Sequence, residues 1–464
     1  MDMVIKNGRI ITAEREFIGS IAITGEKIFG VFEPGSEPEA RQIIDAAGLA
    51  ILPGVIDMHS HHRQGSTPNG FEYKDSIYTS TLQCAAGGVT TSVAMPNVLP
   101  PPNTMELLTR QFDIYKSDAV VDWNFNPAPT ILDEVPVMAN AGIAAFKFFM
   151  VVDTGRSYPH MPGIGVHDHG KILKIMQACA AVGVPLMVHP HDQGLMDVIE
   201  HEYWDRGERD ALAYAKAYAS YDGVIWETAI ATLLRLQRAA GCHLHILHTQ
   251  TSGSVDLIRQ AKAQGQNVTC EINPWALFLG CDWSAIQRLG SYALSYWVPE
   301  KNVPGLWEGL NDGTIDIVAT DHAPHTREEK EVGWVDGWKA HTGTPSTQFY
   351  LSMFITAALE GKISLSRVVE MCCTRPAKLF NLKDKGEIAP GFDADIVMVD
   401  LNKDYEIRNQ DVLSMTGWSP YAGRSFKAPV VRTILRGKTI YEDSKVTGHK
   451  GYGKQAVASR RAAC

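Results

Sequence analysis

Short apolar runs and longer amphipathic segments alternate through the middle of the chain. Eight of the runs favour strands, and they read GVIDMHSH, GVTTSVAMPN, VVDWNFNPAP, AAFKFFM, PLMVHP, HLHILHT, QNVTCEI and IDIVATDHAPH. Segments between them, such as TAIATLLRLQRAAG, show helical spacing, and Gly241 at the end of that segment suits a C-cap. This alternation predicts the α/β class and a (β/α)8 barrel. A doubly wound open sheet is the rival, but no glycine-rich phosphate loop follows the first strand.

The two ends of the chain carry a different pattern, in which short strand-like runs are separated by turns. NG, GS and GE turns punctuate the first stretch, and the second includes GEIAPGFDADIVMVD and APVVRTILRGKTIYED. We interpret residues 1–52 and 385–445 as two halves of one small β-sandwich domain around a barrel of residues 53–384. The glycine-rich, basic residues 446–464 are expected to form a C-terminal tail or an arm that reaches a neighbouring subunit.

The composition lacks the marks of nucleic-acid or membrane binding. The 464 residues carry a formal net charge of −9 that is spread along the chain, so no basic stripe indicates a nucleic-acid partner. No apolar run approaches the roughly 18 residues that a membrane-spanning helix needs, and the first residues, MDMVIKNGRI, do not resemble a signal peptide. The eight cysteines include no CxxC pair, which indicates reduced thiols and predicts a cytoplasmic location.

Metal-ligand side chains directly follow several predicted strands. They are His59 and His61 after the first strand, His189 after the fifth, His248 after the sixth and Asp321 after the eighth. Barrel enzymes carry their working residues at the C-terminal ends of strands, so we expect these side chains at one rim. A single histidine of this kind is more often a hydrogen-bonded core residue, but five coordinating groups are hard to explain in that way. Imidazole with carboxylate suits zinc or a similar divalent ion.

The fourth strand ends differently, with Lys147 among three phenylalanines in AAFKFFM. One interpretation is a snorkelling lysine whose ammonium reaches water. The other is a buried amine of lowered pKa, which is nucleophilic and takes up carbon dioxide as a carbamate. A carbamate has two oxygens that bridge two metals. Together with four histidines and one aspartate, it favours a two-metal site.

The motifs at these strand ends resemble those of the amidohydrolase superfamily. They are HSH, FKFFM, VHP, LHT and ATDHAPHT. The chain is most similar to its cyclic amide hydrolases, the hydantoinases, allantoinases and dihydroorotases, and the similarity extends through CTRPAKLFNL and KGEIAPGFDADIVMVD. The resemblance implies that His59, His61 and Asp321 bind one metal and that His189 and His248 bind the other. It implies that carboxylated Lys147 (N6-carboxylysine) and a hydroxide bridge the metals, and that the protein is a homo-oligomer, a tetramer or a dimer. Zinc is expected, and the ligand set also accepts manganese or cobalt.

The expected reaction is metal-dependent hydrolysis of a ring C–N bond. Two cations lower the pKa of the bridging water and polarise the ring carbonyl, and Asp321 passes the proton of the hydroxide to the departing nitrogen. A deaminase of the same superfamily shares the histidines and the aspartate but lacks a carboxylated lysine, so Lys147 opposes that alternative. A non-catalytic scaffold of dihydropyrimidinase type would have lost ligands, and all six are present.

The expected substrate is a small cyclic amide, imide or ureide. By the resemblance, Arg63 and Asn97 hold a substrate carboxylate, for which arginine is suited; a surface salt bridge is the alternative for Arg63. Trp275 in NPWALFL and Trp297 in SYWVPEK stand where dihydroorotases carry other residues. These departures favour a hydantoin- or allantoin-like ring over a dihydroorotase or dihydropyrimidinase substrate.

Four further polar residues near the predicted ligands have other expected roles. Asp57 is expected to support the end of the first strand or a ligand imidazole. His62 should point away from the metals. His325 is an outer-shell partner or a structural residue, and His191 stands where a glutamate is common in the family.

Overall fold

The strands of the middle region are buried along their whole length, as the strands of a parallel barrel are, whereas most strands near the chain ends carry exposed positions. The computed structural model describes residues 1–68, 70–151, 163–280, 282–293 and 300–459.

Eight parallel strands form the barrel, and each lies in one of the runs that predicted it. They are β6 (Val55–Ser60), β7 (Val89–Ala94), β8 (Asp122–Phe125), β9 (Phe146–Phe149), β10 (Leu186–His189), β11 (Leu244–Ile246), β12 (Val268–Ile272) and β13 (Ile317–Val318). Hydrogen bonds join β6 through β8 and β9 through β13. The ring is closed by a bridge from Ser60 to His322 and by the Lys147 amide, which donates to the Pro127 carbonyl at 3.0 Å. The predicted barrel is confirmed.

Helices follow the strands around the ring. They are α1 (Ile77–Ala86), α2 (Met105–Asp118), α3 (Val135–Ala139), α4 (His169–Val182), α5 (Gln193–Asp205), α6 (Ala211–Tyr218), α7 (Val224–Ala240), α8 (Ser252–Ala263), α9 (Pro274–Phe278), α10 (Trp283–Leu289), α11 (Val303–Asn311), α12 (Arg327–Glu331), α13 (Tyr350–Leu359), α14 (Leu365–Val369) and α15 (Arg375–Leu379). Their ends follow local chemistry: Asp168 caps the start of α4, and Gly241 ends α7 with a φ of 74°, as predicted.

Strands from both chain ends share one nine-stranded sheet. They are β1 (Met3–Ile11), β2 (Glu16–Thr24), β3 (Lys27–Phe32), β4 (Gln42–Asp45), β5 (Ala50–Pro53), β14 (Ile396–Val399), β17 (Val430–Leu435), β18 (Lys438–Glu442) and β19 (Lys445–Val446). The antiparallel pair β5 and β14 joins the two ends of the chain. Strands β15 (Asp404–Glu406) and β16 (Ser425–Lys427) form a separate pair. The boundaries 1–52, 53–384 and 385–445 remain a prediction.

The described part of the tail runs to residue 459 and lies against the barrel. Trp123 of β8 donates its amide to the Lys454 carbonyl and accepts from the Ala456 amide, at 3.0 and 2.8 Å. The Asn124 side chain also donates to the Ala456 carbonyl, at 2.6 Å. The last residues, 460–464, lie outside the described part, and the oligomer arm stays a prediction.

The apolar core extends from the barrel interior to the helices. Ile56, Met58, Val93 and Met187 belong to one buried cluster of the barrel strands, and a larger cluster packs the strands against the helices. Six cysteines of the described chain are free and buried. Within the described residues, no helix is both long and apolar enough to cross a membrane.

Candidate active site

Strand alternation decides which side chains enter the barrel. In β9, Phe146 and Phe148 pack in the core cluster that faces the helices, so Lys147 between them points the other way. In β12, Cys270 and Ile272 face the helices, and Glu271 points inward for the same reason. Polar side chains therefore enter the barrel because period-two strands bury their apolar neighbours outside it.

Four predicted ligands come from three strand ends and meet around one carboxylate. Nε2 of His59 and Nε2 of His61 lie 3.2 and 3.1 Å from Oδ1 of Asp321. Nδ1 of His248 lies 3.7 Å from the other oxygen, Oδ2. One ligand atom each from His59, His248 and Asp321 lie within 4.8 Å of one another. The structure thus brings together side chains that are up to 262 positions apart in the chain.

The two remaining predicted ligands border this group. The imidazole of His189 lies with its centroid 4.8 Å from that of His248. Nζ of Lys147 lies 3.9 Å from the centre of the Phe149 ring, and the side chain is fully buried. Burial lowers the pKa of Lys147 to about 7, although Glu271 and Asp321 oppose that shift. The snorkelling alternative is wrong, because the amine does not reach the surface.

Three residues at or next to the candidate site have strained backbone conformations. Arg63, His248 and Asp321 have φ angles of 42°, 53° and 47°, in the left-handed region that side chains other than glycine seldom adopt. Such conformations cost about 1–3 kcal/mol each and persist only where the surrounding structure enforces them. At His248 and Asp321 the strained backbone occurs in residues whose side chains meet at the candidate centre.

Hydrogen bonds to Asp57 connect the C-terminal ends of β6 and β13. Its carboxylate accepts from the backbone amides of His59 and Thr320 at 3.2 and 3.0 Å, and from the Thr320 hydroxyl at 2.6 Å. Burial raises the pKa of Asp57. Asp57 therefore supports the strand ends, and its expected role agrees with these contacts.

Two polar residues at the C-terminal end of β12, Glu271 within the strand and Asn273 just after it, contact the predicted ligands. These contacts were not predicted from the sequence. Glu271 Oε1 lies 2.6 Å from Nδ1 of His59, and Asn273 Oδ1 lies 2.8 Å from Nδ1 of His248. The available signal was the stretch EIN, in which two polar residues alternate at the end of a buried strand. It was overlooked because neither residue type completes a metal-ligand motif by itself.

Arg63 is buried near the predicted ligands. Its Nε donates to the Pro324 carbonyl at 3.3 Å, and its Nη2 lies 3.0 Å from Nε2 of His325. The side chain is 3% exposed, so the surface salt bridge considered for Arg63 is wrong. Asn97 follows β7 and is also buried; within the described chain its Oδ1 accepts no hydrogen bond. Substrate contact by Arg63 and Asn97 remains a prediction.

The other polar residues singled out in the sequence have partners away from the ligand atoms. The ring nitrogens of His62 lie 2.9 Å from the Tyr115 hydroxyl and 3.0 Å from Ser92 Oγ. The ring of His191 lies 6.4 Å from that of His189. Trp275 is buried, and its ring lies 6.2 Å from that of His248. Trp297 lies outside the described residues.

Three groups of metal-ligand side chains exist among the described residues, and their centres differ. The group of His325, Glu329 and His341 surrounds Nζ of Lys74 at 3.2, 2.8 and 3.1 Å. The group of Asp122, Asp393 and Asp395 surrounds Nζ of Lys385 at 2.6, 2.9 and 2.7 Å. In both, a lysine ammonium already supplies the cation.

Within the described chain, no lysine ammonium is hydrogen-bonded to the group at the strand ends. Among the described residues, Nε2 of His59, Nδ1 of His61 and Nζ of Lys147 make no hydrogen bond although all three are buried. Buried polar atoms without partners are costly, and a bound cation would satisfy Nε2 of His59, which faces Asp321. The donor set of imidazoles, a carboxylate and an amine open to carboxylation therefore fits divalent metal.

Comparisons with known proteins agree with this geometry. Residues 50–440 match the family described as the amidohydrolase family. L-hydantoinase of Paenarthrobacter aurescens is 31% identical over 462 residues, 98% of this chain and 97% of the relative. Dihydroorotase of Halobacterium salinarum is 33% identical over 455 residues, 97% and 98% of the two chains. The solved L-hydantoinase from Arthrobacter aurescens superposes with a TM-score of 0.91 and 29% identity, and covers 98% of this chain and 99% of its own. The resemblance to the cyclic amidohydrolase group is confirmed.

Proposed function

The chain belongs to the amidohydrolase family, and from that premise we propose that it hydrolyses a ring C–N bond in a hydantoin- or allantoin-like cyclic amide. One observation carries the proposal: side chains from separate strand ends converge on Asp321 beside the fully buried Lys147. L-hydantoinase and dihydroorotase relatives have nearly equal identity to this chain. A dihydroorotase or dihydropyrimidinase-type substrate is therefore the alternative.

Two divalent ions, zinc first and manganese or cobalt otherwise, are part of the proposal. His59, His61 and Asp321 would hold one ion, His189 and His248 the other, and carboxylated Lys147 would bridge them. Bound there, the ions supply Lewis acidity and an activated water. The lowered pKa of Lys147 supports the modification, because a large share of its amine is neutral near pH 7 and able to attack carbon dioxide.

Asp321 is the proposed general base and acid. Asp321 is 3% exposed, and its carboxylate has one oxygen toward His59 and His61 and the other toward His248, which supports a position between the two predicted metal ions. From there it would accept the proton of the attacking water and transfer it to the departing ring nitrogen. A carboxylate in this position needs no second base.

Substrate orientation is assigned to Arg63 and Asn97. The guanidinium of Arg63 is buried and therefore partly desolvated, which strengthens its attraction for a carboxylate or a ureido carbonyl. Asn97 supports the same assignment with a buried side-chain amide after the neighbouring strand β7. Together they favour a ring that carries an anionic or ureido substituent.

The test is a substrate panel assayed with zinc or manganese supplied. Hydantoins, allantoin, dihydropyrimidines, dihydroorotate and cyclic imides are incubated with the protein, and ring opening is followed by chromatography. We expect at least one hydantoin or ureide to open. Ammonia release from an aminopurine or aminopyrimidine with its ring intact would make the protein a deaminase. No turnover together with no metal in carefully purified protein would make it a scaffold.

We also propose a cytoplasmic location and a homo-oligomeric assembly for the protein. Six free, buried cysteines support a reducing, cytoplasmic location. Exposed apolar side chains on three strands of the nine-stranded sheet, Ile18, Phe29 and Ile43, support a homo-oligomer, a tetramer or a dimer.

A further inference from the structure

Strand β12 contributes no predicted metal ligand, yet it contacts ligands from two other strands. Glu271 and Asn273 are both fully buried and two positions apart, so they lie on one face of the chain where β12 ends. Glu271 contacts His59 from β6, and Asn273 contacts His248, which follows β11. By the assignment above, these two histidines belong to different metal ions.

We propose that Glu271 and Asn273 are paired positioning residues that fix the ring orientations of His59 and His248 and thereby the separation of the two metal positions. This inference rests on the proposed two-metal function. It assigns a role to two residues that are neither ligands nor substrate-binding residues in that function. Neither residue is proposed to touch substrate.

The orientation of the Asn273 amide follows from its other contacts. Its Nδ2 donates to the Ala319 carbonyl at 2.9 Å and to Glu271 Oε1 at 3.2 Å, and both of these groups accept hydrogen bonds. The amide oxygen therefore faces His248. An amide oxygen only accepts, so Nδ1 of His248 carries the proton and Nε2 keeps its lone pair for a metal.

His59 is held in the same way. The Glu271 carboxylate accepts the Nδ1 proton of His59 at 2.6 Å, which leaves Nε2 as the ligand atom. Nε2 is the atom that lies 3.2 Å from Asp321. Carboxylate and carbonyl partners of this kind fix the tautomer of a ligating histidine and typically alter metal affinity by about 10–100-fold.

One hydrogen bond joins the two supports. Because Asn273 donates to Glu271 and to the carbonyl of Ala319, two positions before Asp321, strand β12 is connected to supports or ligands from β6, β11 and β13. A displacement of either histidine is therefore transmitted to the other through β12. This linkage is the physical basis for a fixed separation of the metals.

The experiment measures metal binding directly, without substrate. Metal-free wild type, Glu271→Leu, Glu271→Gln and Asn273→Leu are titrated with cobalt(II), and stoichiometry and dissociation constants are read from the absorption spectrum. We expect two ions in wild type. Glu271→Leu should weaken one ion by about 10–100-fold and Asn273→Leu the other, and Glu271→Gln, which keeps an acceptor oxygen, should restore most of the affinity.

The matched control is Asp316→Asn. Asp316 is an equally buried carboxylate just before β13, paired with Lys262 and Arg375 at 2.6 and 2.9 Å. It should destabilise the fold without changing cobalt affinity. If the leucine variants instead behave like Asp316→Asn, with two ions bound at unchanged affinity, the positioning role is wrong. Equal loss of both ions in every variant, Glu271→Gln included, would also overturn it.

A second measurement does not depend on the leucine variants folding. In metal-free wild type labelled with ¹⁵N-histidine, we expect His59 and His248 as Nδ1-protonated tautomers, and Nε2 protonation of either would contradict the proposal. The outcomes are separable from those for the proposed function. Two bound ions without hydrolysis of any panel substrate refute only the function, whereas a wild type that binds no metal refutes both.

Discussion

Two buried clusters at opposite ends of the barrel strands contain similar ligand-type residues. They differ in whether a lysine ammonium balances the charge of their carboxylates. At the N-terminal end of β8, Asp122, Asp393 and Asp395 surround Lys385, whose Nζ lies within 2.9 Å of each carboxylate. At the C-terminal ends, the imidazoles around Asp321 lie near Lys147, whose Nζ makes no hydrogen bond within the described chain.

This difference in charge balance separates a cluster of ligand-type side chains that indicates a metal from one that does not. Burial penalises the Lys385 ammonium, but Asp395 and Asp393 outweigh that penalty and raise the pKa of Lys385. Burial lowers the pKa of Lys147 to about 7, because its carboxylate neighbours do not compensate. A charged lysine completes the first cluster. The second remains short of positive charge, which is the condition for binding cations.

The largest expected effect is that of Lys147→Ala on catalysis. Loss of the bridging position should lower kcat/KM by about 10³-fold or more and remove metal, since metal chemistry contributes several kcal/mol to such reactions. Activity and metal content are measured on the purified variant, with the exposed Lys174→Ala as control. Short carboxylates such as acetate should restore part of the activity. Full activity of Lys147→Ala without any addition would contradict a bridging role.

The next effect is that of Lys385→Met on stability. Removing the ammonium leaves three carboxylates near one another in a largely buried site, so the free energy of unfolding should fall by about 3–5 kcal/mol. Urea unfolding measures the change. The control, Lys378→Met, removes a lysine whose side chain is 62% exposed and paired with Glu387, and should cost less than about 1 kcal/mol. Equal effects of the two variants would mean that the cluster around Lys385 gains nothing from burial.

The smallest effect concerns Arg63, which follows the predicted ligand His61 by two positions and contacts His325 of the group around Lys74. Arg63→Lys keeps the charge but loses the planar fork, so KM for a carboxylated ring should rise about 10- to 100-fold with kcat little changed. Dihydroorotate and dihydrouracil differ by that carboxylate and form a matched pair of substrates, and the exposed Arg110→Lys is the control variant. An equal rise in KM for both rings would assign Arg63 to structure instead of carboxylate binding.

The barrel was predictable because its signals are local. Each apolar run and the polar residue that ends it are contiguous, as in PLMVHP with His189 or AAFKFFM with Lys147, and parallel strands bring their carboxyl ends to one rim. The candidate ligands followed from that rule together with the family resemblance. The contacts of Glu271 and Asn273 did not, because their partners lie on other strands.

The sequence specifies the type of each residue and its position within a strand. These determined the barrel and the shared sheet of the chain ends. They also determined that His59, His61, His248 and Asp321 meet. Tertiary structure decided the charge environment of each cluster. Lys385 reaches Asp122 across 263 positions, Lys74 occupies the group around Glu329, and no comparable ammonium hydrogen-bonds to the ligands around Asp321 in the described chain. The physical reason is that burial and Coulomb energies depend on distances in space, which separation along the sequence does not specify.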